Sequence, residues 1–70
     1  MRFRGKLKNL EFLIATEFRL KETKKINYAH QIKTQEGGIV NWYPKTGTVL
    51  VQGKEHIRKK INDYLKKSLE

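Results

Sequence analysis

His30 and His56 are the chain's two imidazoles, and there is no cysteine. The acids Glu11, Glu17, Glu22, Glu36, Glu55, Asp63 and Glu70 are scattered. No two of them have the local spacing with which carboxylates hold a pair of catalytic metal ions. No glycine-rich loop follows a strand pattern to cradle a phosphate, and Gly37-Gly38 is adequately explained as a hairpin turn. His56 falls one turn into a helical segment, where a solvated side chain is expected. His30 falls on an apolar face, where a packed histidine is expected before a ligand. No catalytic residue, metal ligand or cofactor is assigned, and the chain is expected to bind rather than to catalyse.

What the chain's cations and amides can do is hold phosphate and meet polar edges. Sixteen Lys and Arg against seven acids leave a net charge of +9 on 70 residues. Such a field draws in polyanions, and nucleic acid is the most abundant of them. Acidic membranes and acidic proteins are the competing partners. No apolar run approaches the roughly 20 residues of a membrane span. The basic start Met1-Arg2-Phe3-Arg4 is followed by Lys6 and Lys8, not by the apolar stretch of a secretory signal. The absence of cysteine fits a reducing compartment. A soluble, cytoplasmic protein without membrane association is expected.

Seventy residues make one domain, 1–70, near the lower limit for folding unaided. Leu7, Leu10, Ile14 and Phe18, widened by Leu13 and Ala15, have helical spacing and predict a helix from Lys6 to Leu20, with Phe12 off the stripe. Met1–Arg4 is either a frayed start or a short edge strand. Arg19–Lys25 reads as a charged connector, a solvated loop or an arm that touches phosphate. From Ile26 the period becomes two, predicting a strand to Lys33. Thr34–Gly38 is a turn, Ile39–Tyr43 a strand, Pro44–Gly47 a turn and Thr48–Gln52 a strand. Helical spacing returns over Lys54–Ser68, with Ile57, Ile61, Tyr64 and Leu65 in one stripe. The expected fold is α+β: helix, a three-stranded antiparallel sheet (four-stranded with an added edge), helix, with both helices on one face.

Hairpin pairing puts residues of equal parity on common faces. One face collects Ile26, Tyr28, Ile32, Val40, Trp42, Val49 and Val51, with His30 among them, and should receive the helices. The other presents Asn27, Ala29, Gln31, Lys33, Ile39, Asn41, Tyr43, Thr48, Leu50 and Gln52, a set with one cation and no acid. Amides can bond base edges and sugars, Tyr43 can stack, and Ile39 and Leu50 can fit a groove floor. Asn27, Gln31, Lys33, Asn41, Tyr43, Lys45, Thr48, Leu50 and Gln52 are therefore the candidate nucleic-acid contacts. Arg2, Arg4, Lys6, Lys24 and Lys25, at strand ends and loops, are candidate phosphate contacts. The alternative occupant of this open face is a protein, either a second copy of the chain or a partner such as a nuclease that the chain inhibits.

The stretch Ile39–Gly53, IVNWYPKTGTVLVQG, resembles the sheet motif of the TATA-box-binding-protein-like fold. It is similar above all to the N-terminal substrate-binding domain of bacterial ribonuclease HIII, through Tyr28-Ala29, Tyr43, Thr46-Gly47 and Val51-Gln52-Gly53. The turn after Tyr43 is one residue longer than is usual there, and Met1–Arg4 leaves little room for that family's first strand. The resemblance covers about Ile26 to Leu65. It implies a curved sheet lying on a duplex minor groove, with Tyr43, Leu50 and Gln52 facing the groove. It also implies binding without cleavage, since no ribonuclease H domain follows, and by analogy a possible homodimeric saddle. The same element order fits the double-stranded-RNA-binding fold. That fold includes small RNA-cleaving toxins, whose histidine lies in a Gly-Ser-His strand motif where this chain has Tyr28-Ala29-His30.

Overall fold

The computed structural model describes residues 1–69. The order of elements is α1 (Leu7–Ala15), β1 (Leu20–Ile26), β2 (Ala29–Thr34), β3 (Ile39–Tyr43), β4 (Thr48–Gln52) and α2 (Glu55–Leu69). Helical spacing turns Leu10 and Ile14 of α1 inward, where both are fully buried. The helix stops short of the predicted Leu20. The Thr16 hydroxyl donates to the Phe12 carbonyl at 2.9 Å, and the amides of Glu17 and Phe18 share the Ile14 carbonyl. This tight last turn leaves Phe18 buried and frees the chain to enter the sheet. Ala15 is exposed rather than part of the stripe, and Phe12, off the stripe, lies 76% exposed.

The sheet is an antiparallel meander of four strands in the order β1-β2-β3-β4. Its fourth strand is β1, so the predicted Arg19–Lys25 connector is corrected to a strand, with a register irregularity between Leu20 and Glu22. The predicted strand from Ile26 to Lys33 is likewise broken at its start. Ile26 pairs with Ala29 across a two-residue turn, Asn27-Tyr28, in which Asn27 takes φ 50°. Asparagine tolerates that left-handed conformation better than most residues. Ile26 consequently shares a face with Ala29, away from the helices, and Tyr28 stands at the hairpin tip. Neither belongs to the core face: they are 42% and 78% exposed.

Ile32, Val40, Trp42 and Val49 do face the helices, packing against Leu10, Ile14, Phe18, Ile57, Ile61 and Leu65, with Val51 partly buried beside them. His30 stacks on Trp42, with ring centroids 5.7 Å apart. The Tyr64 hydroxyl donates to the Leu13 carbonyl at 2.6 Å, tying α2 to α1. Gly38 lets the β2–β3 hairpin lie under α2, because a Cβ there would run into Ile61 Cδ1. The Thr34 hydroxyl, buried in that hairpin, accepts from the Gly38 amide at 3.0 Å. Both helices thus cover one face, as expected from the sequence.

Met1–Arg4 runs along the outer edge of β4 without becoming a strand. Arg2 bridges to Thr48, the Phe3 amide donates to the Gly47 carbonyl at 2.7 Å, and the Val49 amide donates to the Met1 carbonyl at 2.9 Å. Trp42 fixes this segment from inside, its Nε1–H donating to the Phe3 carbonyl at 3.0 Å while Phe3 packs edge-on against its ring. Among the described residues no helix is long and apolar enough to cross a membrane.

Candidate nucleic-acid interface

Side chains alternate along each strand, so the register fixes what the uncovered face presents. One cross-strand row reads Lys24, Gln31, Asn41, Leu50, and the next Glu22, Lys33, Ile39, Gln52. Tyr43 pairs with Thr48 nearer the end that carries the β1–β2 and β3–β4 turns. Tyr43, Leu50 and Gln52 therefore share the open face, as parity predicts. Leu50 is half exposed, an apolar side chain left to solvent in the middle of β4.

The three amides form a hydrogen-bonded line across β2, β3 and β4. Gln31 Nε2 donates to Asn41 Oδ1 at 3.2 Å, and Asn41 Nδ2 donates to Gln52 Oε1 at 3.0 Å. The line leaves a free acceptor at Gln31 and free donors at Gln52. Reversing all three amides would exchange the ends but still leave one of each kind. Each amide orients its neighbour, so the free groups are held in place before any ligand arrives. The Thr48 hydroxyl is already engaged, 2.7 Å from that of Thr46.

The charge on this face differs from the sequence expectation of one cation and no acid. Because β1 is a strand, Lys24 and Glu22 stand on it too, and Glu22 lies 3.7 Å from both Lys24 and Lys33. These pairs are solvent-accessible and hold the lysines only weakly, so both remain available to phosphate.

The other predicted residues divide by position. Asn27 and Lys45 sit in the β1–β2 and β3–β4 turns at one end of the sheet, and Lys25, opposite His30, joins Lys45 there in lining a single hollow. Arg2 lies on the β4 edge, and Arg4 lies beside Gly47, near enough that its Nε would stand 3.2 Å from a Cβ there. Lys6 immediately precedes α1, in the helical layer behind the sheet, and is not brought to the open face. Sequence reasoning missed Glu22, Ile26 and Tyr28 as residues of this surface. The one signal was Asn27, a residue suited to positive φ, ahead of an aromatic. Among the described residues no group of three His, Asp or Glu side chains converges as a metal site.

Comparison of the chain with protein-family models, with curated proteins and with solved structures finds no match.

Proposed function

We propose that this protein is a non-catalytic, cytoplasmic nucleic-acid-binding domain whose uncovered sheet face lies on a duplex. The observation that carries this reading is the Gln31-Asn41-Gln52 line. A pre-oriented row of amides, flanked by Tyr43 and Leu50 and bordered by lysines, offers polar groups to base edges or sugars, apolar contact to a groove and cations to phosphates. The resemblance of Ile39–Gly53 to the TATA-box-binding-protein-like sheet motif supports it, since the three residues that motif turns to a groove are Tyr43, Leu50 and Gln52. The net charge of +9 supports it as well.

A mobility-shift panel of duplex DNA, duplex RNA, hybrid and single strands at low salt tests the reading, with a duplex expected to be retarded. Tyr43→Ala combined with Gln52→Ala should weaken that binding about tenfold or more, because stacking and edge contacts are each worth 1–3 kcal/mol. Lys59→Gln combined with Lys60→Gln, on the exposed side of α2, should change it no more than about threefold through the general field. The reverse ranking would move the interface to the helices, as in a double-stranded-RNA-binding domain. No retardation of any nucleic acid would favour a protein partner on the open face. Cleavage of RNA by the wild type but not by His30→Ala would overturn the non-catalytic assignment.

A further inference from the structure

Tyr28 is the most exposed large hydrophobic side chain at the sheet, 78% accessible at the β1–β2 tip. It stands where two hollows meet. The first, about 360 Å³, opens on the uncovered face and is lined by Tyr28, Tyr43, Ile26 and the amides of Gln31 and Asn41, with the small buried Ala29 among them. No charged residue lines it. The second, about 220 Å³, lies at the end of the sheet and is lined by Lys25, Lys45, His30 and Pro44, with Asn27 and Tyr28 shared between the two.

The two hollows flank the β1–β2 tip from opposite sides, since Lys25 pairs with His30 on the face of Trp42 while Gln31 and Asn41 stand on the uncovered face. On one side are flat aromatic and apolar walls with amide donors and acceptors. On the other are two lysines and an imidazole. A nucleotide has the same division, a flat base with polar edges joined through its sugar to an anionic phosphate. Within an intact duplex a base has both faces stacked and its pairing edge occupied, so it cannot enter such a hollow. Building on the proposed sheet-face binding, we infer that this end of the sheet is a subsite for one unpaired nucleotide. The base lies against Tyr28 in the hollow of the uncovered face, and the nucleic-acid strand turns over the β1–β2 tip so that the adjoining phosphate reaches Lys25 and Lys45. The favoured ligand is a duplex carrying an overhang or an opened end, with the paired part on the amide line and the first unpaired base over the β1–β2 tip.

Fluorescence anisotropy with a blunt duplex, the same duplex with a short 3′ or 5′ overhang, and an overhang of abasic sugars tests this. The wild type should bind one overhang polarity about tenfold more tightly than the blunt duplex, the usual scale of one base–aromatic stack. The abasic overhang, which keeps the phosphates, should lose most of that gain. Tyr28→Ala should abolish the preference, so that blunt and overhanging duplexes bind alike, and Tyr28→Phe should retain it. Equal affinity of the wild type for blunt and overhanging duplexes would refute the subsite and leave sheet-face binding intact. A preference that survives in Tyr28→Ala would also refute it. Failure to bind any duplex would refute sheet-face binding itself, and the subsite with it.

Discussion

Trp42→Ala is expected to remove most of the stability of this domain. A chain of this length holds roughly 4–10 kcal/mol against unfolding. Trp42 is 3% exposed in the middle of β3, facing the helices. It stacks on His30, takes Phe3 edge-on and anchors the N-terminal segment through its indole N–H. Truncating a buried tryptophan to alanine costs about 3–5 kcal/mol in transfer and cavity terms. The loss of the Phe3 anchor adds to that, because Met1–Phe3 would then be held along β4 only by its backbone bonds to Gly47 and Val49. Urea denaturation followed by circular dichroism should show the midpoint falling by about half or more. Trp42→Phe separates the contributions. It keeps most of the packing but strands the Phe3 carbonyl, and should cost about 1–2 kcal/mol with a clear folded baseline. A Trp42→Ala variant within 1 kcal/mol of wild type would mean that the sheet does not pack on the helices through this residue.

The second large effect is on salt. Lys24 and Lys33 on the open face, Lys25 and Lys45 at the sheet end, and Arg4 beside the β3–β4 turn form the cationic border of the proposed interface. If about five of these each neutralise one phosphate, the slope of log affinity against log salt is about −4.5. Affinity then falls about 500-fold between 50 and 200 mM salt. Glu22 works against this field, 3.7 Å from two of the lysines. Glu22→Gln should therefore tighten duplex binding about threefold to tenfold at low salt, an effect that fades as salt is raised. A salt slope shallower than about −2, or weaker binding by Glu22→Gln, would place the phosphates elsewhere on the molecule.

How far the sequence disclosed this surface depended on whether side chains or backbone made each element. β3, β4 and α2 announce themselves, because Val40, Trp42, Val49, Ile57, Ile61 and Leu65 must be buried and their spacing reveals which face does it. The turns between those strands carry Gly37-Gly38 and Pro44 with Gly47, whose backbone preferences mark them. β1 has no such signature. Lys21, Glu22, Lys24 and Lys25 give no alternation; Leu20 packs at the margin of the core, Thr23 turns to α1, donating to Glu11 Oε2 at 2.7 Å, and the rest of the strand exists through its ladder with β2. A lysine-rich edge strand of this kind also resists pairing with other chains. Ile26 and Tyr28 misled in a different way. They alternate with His30 and Ile32 in sequence, but the Asn27-Tyr28 turn intervenes without glycine or proline, so their periodicity belongs to no single strand. The amide line was legible as composition. Its hydrogen bonding required the register, which pairs Gln31 with Asn41 and sets Gln52 diagonally beyond.

Everything functional above depends on the uncovered sheet face being the surface that touches nucleic acid. Uniformly ¹⁵N-labelled protein titrated with a short duplex at low salt reports on it directly, since side-chain amides give their own resonances. The expected result is progressive shift of the Gln31, Asn41 and Gln52 side-chain amides together with the backbone amides of Tyr43 and Leu50, while Lys60 and Lys67, on the side of α2 toward Glu17 and Phe18, stay in place. Shifts confined to α2, with the three amides unmoved at saturation, would contradict it.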